Sequence, residues 1–165
     1  MISTKGRYAI RFLIDLAQQP EGAPVPLEDI ARRQGISKKY LEIVVKLLVS
    51  GGLVKGTSGK GGGYRLLRKP EEYPIGEILE LTEGTLAAVA CLAEGAETCP
   101  RKGDCRTLPM WKRFNAMVHD FFYRITLADL LAEGEGDGAP SDARRAEESI
   151  SLMRLSWLTS LAPGS

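Results

Sequence analysis

Apolar and polar positions along the first fifty residues follow the period of amphipathic helices. Apolar residues recur at spacings of three and four from Tyr8 to Leu16, which predicts a first helix. A second helix begins at Pro26, and Ser37 is the predicted N-cap of a third over residues 38–50. Two helices joined by a short glycine-containing turn are typical of a helix-turn-helix.

The third predicted helix has an apolar side and a charged side. Its charged positions are Lys38, Lys39, Glu42 and Lys46. In a helix-turn-helix the second helix enters the major groove, where Lys and Glu side chains can read guanine and cytosine edges. The pattern therefore predicts a DNA-reading helix, with an ordinary solvated surface helix as the alternative.

Two extended segments, residues 53–55 and 64–68, flank a glycine-rich stretch and predict a β-hairpin. Lys60 lies at its tip, between Lys55 and Arg65. Glycines allow such a tip to approach a phosphate backbone closely. A nucleotide-binding loop is disfavoured, because the glycine-lysine pair precedes another glycine and a strand instead of Ser or Thr and a helix.

A heptad pattern follows near the end of the chain, at Trp111, Phe114, Val118, Phe121 and Ile125. So broad an apolar surface needs another helix to cover it, and a second copy of the chain is the simplest cover. We therefore expect one continuous dimerisation helix over residues 109–131. His119, the one histidine of the chain, lies in it and is expected to be solvated.

The predicted fold is mainly α with a small β-hairpin wing: a winged helix-turn-helix DNA-binding domain plus a long dimerisation helix. The predicted segments are a DNA-binding domain at 1–83, a cysteine-bearing sensor loop at 84–108, the dimerisation helix at 109–131, and an acidic linker with an amphipathic C-terminal helix at 132–165.

Composition and charge limit the classes of function. The 165 residues are 44% hydrophobic and 26% charged, which suits one compact domain with an appendage. Residues 1–70 carry 13 Lys and Arg against 5 Asp and Glu, whereas residues 71–165 carry 9 against 16. A basic first half is typical of a protein that binds a polyanion, although a solvated charged face is the plainer explanation. With no long apolar run and no apolar signal core after Met1, we expect a cytoplasmic protein without a membrane partner.

Three cysteines, Cys91, Cys99 and Cys105, lie in a segment without a sustained apolar period, which predicts a loop. An odd number of cysteines in a reduced compartment argues against a disulfide framework and favours thiolate ligation of an iron-sulfur cluster. Zinc and three free thiols remain alternatives. Nearby cations would favour the deprotonated sulfurs; they are Arg101, Lys102 and Arg106.

Six blocks of sequence, in order, carry a family resemblance. They are Ser3–Ala9, Val25–Ala31, Gln34–Ser37, Tyr40–Glu42, Gly61–Tyr64 and Ile125–Leu130. Over about residues 1–131 the chain resembles the Rrf-two family of bacterial winged-helix transcriptional regulators, of the IscR, NsrR and CymR type.

The resemblance implies a homodimer on a palindromic operator in double-stranded DNA, with the helix after Ser37 in the major groove and the wing near the minor groove. The implied DNA-contacting residues are Lys5, Arg7, Ser37, Lys38, Lys39, Tyr40, Glu42, Lys46, Ser58, Lys60 and Arg65. Cluster-binding relatives have an Arg before the wing glycines and a Pro between them; here Ser58 and Lys60 occupy those positions. Lys60 is the predicted substitute for the wing Arg.

Cluster-binding members place three cysteines in this loop, so the resemblance implies Cys91, Cys99 and Cys105 as ligands of a 2Fe-2S cluster, with 4Fe-4S as the alternative. The fourth ligand does not carry over, because Leu108 and Tyr8 stand where such members have His or Asp. A carboxylate or a group from the partner subunit would complete the site. The candidate carboxylates are Glu94, Glu97 and Asp104.

The predicted function is therefore a DNA-binding repressor of the Rrf-two type that an iron-sulfur cluster controls. We do not expect an enzyme, because no pairing of a nucleophile with a base stands out. Two alternatives remain open: a cluster-free regulator under thiol or partner-protein control, and a metal or iron-sulfur carrier.

Overall fold

Six α-helices and one two-stranded hairpin make up residues 2–134, the part of the chain that the computed structural model describes. The elements are α1 Thr4–Ala17, α2 Leu27–Gln34, α3 Lys38–Ser50, β1 Val54–Thr57, β2 Gly63–Leu66, α4 Ile75–Glu83, α5 Leu108–Arg124 and α6 Leu127–Gly134, with single 3-10 turns at Pro70–Glu72 and Ala90–Leu92. The mainly helical fold with a small hairpin is the one that the sequence predicts.

Capping residues begin α1 and α3, and a glycine ends α2. The Ser3 hydroxyl accepts a hydrogen bond from the Lys5 amide at 3.1 Å, and the Ser37 hydroxyl accepts one from the Tyr40 amide at 3.3 Å. Between α2 and α3, Gly35 has φ of +62°, a conformation that glycine adopts without strain. The sharp turn of the helix-turn-helix follows from that residue.

One hydrophobic core joins α1, α3 and α4. Phe12, Leu13, Leu41, Leu48 and Ile78 are fully buried within it. A core of this kind fixes α3 on the rest of the domain, so its charged side faces outward.

A buried polar contact connects α1 with α2. The Asp15 side chain is 1% exposed, yet its carboxylate accepts hydrogen bonds from Arg33 Nε at 3.0 Å and from Gln34 Nε2 at 3.0 Å. The bond to Asp15 raises the pKa of Arg33 above its ordinary value. A buried carboxylate is tolerated here because its lone pairs are satisfied by donors from α2.

The hairpin pairs β1 with β2 in antiparallel register, with Val54 opposite Leu66 and Thr57 opposite Gly63. On its other side β2 joins the segment before α2: the Val25 amide donates to the Tyr64 carbonyl at 2.9 Å, and the Tyr64 amide donates to the Val25 carbonyl at 2.8 Å. A Cβ at Gly63 would lie 2.3 Å from the Val25 carbonyl carbon, so this close approach requires glycine. The wing is thereby bonded to the start of the helix-turn-helix.

The single helix expected over residues 109–131 is in fact two helices. Helix α5 ends at Arg124, and Ile125 is extended, with φ of −96° and ψ of 128°. The Ile125 carbonyl accepts a hydrogen bond from the Ile75 amide at 2.9 Å, while the Asp129 carboxylate accepts one from the Thr126 amide at 2.8 Å as α6 begins. Ile125 packs against the core, and is therefore not the last residue of the predicted seam.

Helix α5 contacts α4 through an aromatic residue on a glycine. A Cβ at Gly76 would lie 2.2 Å from the Tyr123 ring, and the Tyr123 hydroxyl donates to Glu80 Oε2 at 2.6 Å. This contact fixes the C-terminal end of α5 on α4.

The chain divides into two compact units, residues 1–131 and 132–165. Most of the predicted acidic linker and the whole predicted C-terminal helix lie outside the described residues. Within residues 2–134 we find no helix with the length and apolar character needed to cross a bilayer.

Candidate nucleic-acid interface and cysteine pocket

The outer side of α3 carries the charges that the sequence predicts there. Lys39, Glu42 and Lys46 are all exposed. Between them lies Ile43, whose side chain is 53% exposed, a residue that the sequence analysis did not select. An exposed apolar side chain within a charged face suits contact with a thymine methyl group in the major groove. Its spacing of four from Lys39 was the signal that could have identified it.

A groove of ≈ 660 Å³ separates α3 from the hairpin. Lys38, Lys46 and Ser58 all line it, so the structure brings these three predicted DNA contacts together. Lys38 is engaged there, because its Nζ lies 2.8 Å from Glu28 Oε2. That hydrogen bond raises the pKa of Lys38 and lowers the pKa of Glu28.

The hairpin, which we call the wing (residues 54–66), presents a line of positive charge. Lys55 lies directly opposite Arg65, and Lys60 is exposed at the tip. Like charges facing each other across two strands destabilise a hairpin, and a nearby phosphate would offset that repulsion. Gly59 and Gly61, with φ of 97° and 80°, allow the tip to turn.

The predicted contacts of the first helix lie apart from the lining of the groove. The exposed Arg7 donates from a guanidinium nitrogen to Thr4 Oγ1 at 3.2 Å, and Lys5 is half-buried. Tyr40 is also half-buried, because its ring packs edge-on against Tyr8 at 5.5 Å between centroids. Tyr40 thus joins α3 to α1 in addition to any contact with DNA.

The three cysteines line a single pocket of ≈ 170 Å³. Cys91 is exposed, whereas Cys99 and Cys105 are half-buried. Lys102 and Lys112 also line the pocket, and either ammonium group would partly neutralise thiolate charge. The loop therefore gathers the three predicted ligands at one place, next to the beginning of α5.

A threonine that the sequence analysis did not select acts on one of the thiols. The Thr107 hydroxyl lies 3.4 Å from Cys105 Sγ, and its hydrogen bond is the main reason why the pKa of Cys105 is lowered. Arg101, one of the predicted cations, contributes less, and its guanidinium lies 3.5 Å from the Asp104 carboxylate.

The donor set suits an iron-sulfur cluster, but it is not assembled. Among residues 2–134, no group of three or more His, Cys, Asp or Glu side chains is close enough to hold a metal ion. Leu108 lines the pocket without offering a ligand atom, and Glu97 is the candidate carboxylate on its lining. The ring of His119 stacks on Tyr123 at 4.3 Å and does not line the pocket. A bound cluster would thus require the loop to draw three sulfurs together.

Helix α5 exposes its apolar side. None of its 17 residues is buried against the rest of residues 2–134. Met117 is 60% exposed and Phe121 is 57% exposed, with Met110 and Phe114 on the same side. An apolar stripe this continuous is typical of an interaction surface.

Comparison with known proteins identifies the family. Residues 2–133 match the family model described as Rrf2, iron-dependent transcriptional regulator. The chain belongs to the Rrf2 family. It is 37% identical over 134 residues to the HTH-type transcriptional regulator IscR of Aliivibrio salmonicida, with 81% of this chain and 79% of that protein covered.

Solved structures of similar regulators have the same fold as this chain. The structure of CymR, the global cysteine regulator of B. subtilis, has 34% identity and a TM-score of 0.65, and covers 80% of this chain and 96% of CymR. The T. potens IscR structure has 33% identity and a TM-score of 0.66, and the match covers 84% of this chain and 92% of the T. potens protein. The chain is therefore a winged-helix transcriptional regulator of a family that binds DNA and is not enzymatic.

Proposed function

We propose that this Rrf2 regulator is a homodimeric repressor whose affinity for a two-fold symmetric operator is set by an iron-sulfur cluster on Cys91, Cys99 and Cys105. The observation that carries the proposal is the single pocket that these three cysteines line. Cys105 is also bonded to the beginning of α5, because the Leu108 amide donates to its carbonyl at 3.2 Å. The state of the pocket thus acts on the helix that we assign to dimerisation.

Two elements contact the operator in this proposal. The outer side of α3, with Lys39, Glu42 and Lys46, enters the major groove, and Lys60 of the wing approaches the adjacent phosphates or minor groove. Lys5, Arg7 and Arg65 add phosphate contacts. The exposed stripe of α5 supports pairing with a second copy, which places two α3 helices on successive turns of DNA.

The cysteine residues bind the cluster, which when bound supplies one-electron and ligand-exchange chemistry. A 2Fe-2S cluster suits three cysteines plus one other ligand, and Glu97 or a group from the partner subunit supplies the fourth. The Thr107 hydroxyl lowers the pKa of Cys105 and so favours its thiolate, and Lys102 and Lys112 offset the negative charge of the thiolates.

The test of the cluster is a spectrum of the anaerobically purified full chain with iron and sulfide analysis. We expect visible charge-transfer absorption, which Cys99→Ala abolishes. Thr98→Ala changes the neighbouring pocket residue and is expected to leave the spectrum intact. Colourless protein with three titratable thiols would contradict the cluster.

The same preparations test the DNA-binding role by titration of duplex DNA over a range of salt concentrations. A regulator shows a steep decrease of affinity with salt and prefers a two-fold symmetric site. Different affinities of wild type and Cys99→Ala would link the cluster to repression. A protein that binds no duplex in either state would instead be a carrier of metal or clusters.

A second candidate keeps the DNA-binding role without a cluster. It is favoured by the separation of the three sulfurs, since no metal-binding group is assembled within residues 2–134. In that case Cys105, whose pKa is lowered, is the thiol that oxidation or a partner protein would address first. Operator affinity that follows thiol oxidation in iron-free protein would support this alternative.

A further inference from the structure

Tyr73 is buried at the base of the wing, where its hydroxyl bonds both ends of the hairpin. The residue is 0% exposed. Its hydroxyl donates to the Leu53 carbonyl, just before β1, at 2.6 Å. The same oxygen accepts hydrogen bonds from the amides of Leu67 and Arg68, just after β2, at 2.9 and 3.0 Å. One phenol oxygen thus bonds the residues at which the chain enters and leaves the wing.

The β1–β2 ladder begins one residue further in, where Val54 lies opposite Leu66. The direct backbone bond between the two ends, from the Leu67 amide to the Leu53 carbonyl, is long at 3.4 Å. Without the hydroxyl, the Leu67 amide and the Leu53 carbonyl would keep only this long bond to each other, and the Arg68 amide would lose its bond to the phenol oxygen. The Arg68 guanidinium lies over the Tyr73 ring at 4.6 Å from its centroid and also bonds Glu77 at 2.8 and 2.9 Å.

The backbone of the same residue bonds the end of the helix that we assign to dimerisation. The Tyr73 carbonyl accepts a hydrogen bond from the Leu127 amide at 3.0 Å, beside the isolated bridge between Pro74 and Thr126. Tyr73 therefore contacts the wing through its side chain and the α5–α6 junction through its main chain.

We propose that Tyr73 is a positioning residue for DNA binding: its hydroxyl sets the direction of the wing and so places Lys60 against the operator. The proposal rests on the proposed function in one respect, that the wing contacts DNA. Tyr73 itself is buried, and its hydroxyl bonds only the two ends of the wing, so we expect the effect of the hydroxyl on affinity to pass through the wing.

The test is a double-mutant cycle with Tyr73→Phe, Lys60→Ala and the combined variant. Each full-length protein is titrated against a fluorescent duplex of about 30 base pairs that the wild type selects from a random library, enough for half-sites one turn apart. We expect each single substitution to weaken binding by about threefold to tenfold. The combined variant should bind within about twofold of the weaker single variant, since both remove the same contact.

The control is Tyr123→Phe, which removes a hydroxyl bond to Glu80 on α4 and leaves the wing untouched. If Tyr123→Phe affects DNA binding at all, its fold-change in affinity should multiply with that of Lys60→Ala. The proposal would be overturned if the fold-changes in DNA affinity of Tyr73→Phe and Lys60→Ala multiply in the combined variant. It would also be overturned if Tyr73→Phe binds DNA with unchanged affinity. Lys60→Ala without effect in a protein that still binds DNA would instead show that the wing contact of the proposed function is wrong, and the role of Tyr73 with it.

Amide hydrogen exchange gives a second readout, and its measurement on the wild type does not depend on any variant folding well. In the wild type the Leu67 and Arg68 amides should exchange as slowly as core amides, and much more slowly than those of Gly59 and Lys60 at the tip. In Tyr73→Phe they should exchange at least about tenfold faster, and in Tyr123→Phe they should not change. Fast exchange at Leu67 and Arg68 in the wild type would overturn the proposal.

Discussion

At the scale of single residues, the contact of Tyr123 with α4 responds to pH. Its hydrogen bond to the Glu80 carboxylate, together with burial, raises the pKa of Tyr123 from 10.0 to about 12. The neutral phenol is the form that donates to Glu80, so the contact is intact wherever Tyr123 is protonated.

We predict that folding stability decreases between pH 10.0 and about 12, and that Tyr123→Phe removes part of this decrease. In that window the unfolded chain has released the phenol proton while the folded chain retains it, so rising pH favours unfolding. The difference in unfolding free energy between wild type and variant should decrease by about 1 kcal/mol over the window, as urea titrations at each pH would measure.

The matched control is Tyr8→Phe, because the Tyr8 hydroxyl makes no hydrogen bond among residues 2–134. Tyr8→Phe should keep the decrease in stability that the Glu80 contact of Tyr123 produces, because that contact is intact in it. A Tyr123→Phe curve parallel to that of the wild type would contradict the assignment of the raised pKa to the Glu80 contact.

At the scale of elements, the docking of α2 on α1 depends on Asp15. We predict that Asp15→Asn lowers the unfolding free energy by about 1–3 kcal/mol, because the buried carboxylate accepts from both Arg33 and Gln34. The estimate stays below that for a fully buried pair, since Arg33 is partly exposed. Denaturant unfolding monitored by circular dichroism measures the change.

Asp29→Asn is the control, because the Asp29–Arg32 ion pair lies on the exposed surface of α2, the helix that also carries Arg33. This substitution should lower the unfolding free energy by at most about 0.5 kcal/mol. Equal losses in the two variants would show that burial of Asp15 contributes nothing to the connection between α1 and α2.

The same scale shows how far the sequence predicts this fold. The helix-turn-helix follows from local signals, since Ser37 caps α3 and Gly35 turns the chain where the pattern indicates. The break at Ile125 was missed because the apolar period continues through it, although Thr126 and Asp129 have the spacing of a capping box at the start of α6. What ends α5 is a pairing with Ile75, fifty residues away in the chain, and periodicity contains no information about such a partner.

The candidate site shows the same limit. The lack of an apolar period around the three cysteines predicted a shared loop, and the structure gathers the three residues around one pocket. The sequence did not indicate Thr107 or Tyr73, because a single Thr or Tyr forms no pattern. Their roles depend on which backbone or sulfur atoms the fold brings within hydrogen-bonding distance. Ile43 was overlooked because apolar residues are ordinarily expected to be buried.

At the scale of the whole molecule, the exposed stripe of α5 predicts the effect of a charge placed in it. Phe114→Glu should weaken self-association by at least about 2 kcal/mol per dimer, because it buries an unpaired carboxylate in an apolar interface twice. The operator affinity should decrease about tenfold or more, since two linked α3 helices bind much better than one. Sedimentation of the full chain at micromolar concentration measures the first effect and duplex titration the second.

Arg113→Glu, at the edge of the stripe on the same helix, is the control and should leave the dimer largely intact. A Phe114→Glu protein that sediments like the wild type would rule out α5 as the dimer interface. A wild type that is monomeric at micromolar concentration would contradict the proposed regulator as a whole.

The bond between Cys105 and the first turn of α5 has a geometric consequence. With 17 residues, the helix is about 25 Å long, and the hydrogen bond of Tyr123 to Glu80 holds its C-terminal end on α4. A tilt of about 5° around that pivot would carry the cysteine end through about 2 Å, whereas metal–ligand distances vary by only about 0.2 Å. In the proposed function, a small change in the inclination of α5 would therefore displace Cys105 from the other two sulfurs by more than a cluster tolerates, unless the loop moved with it.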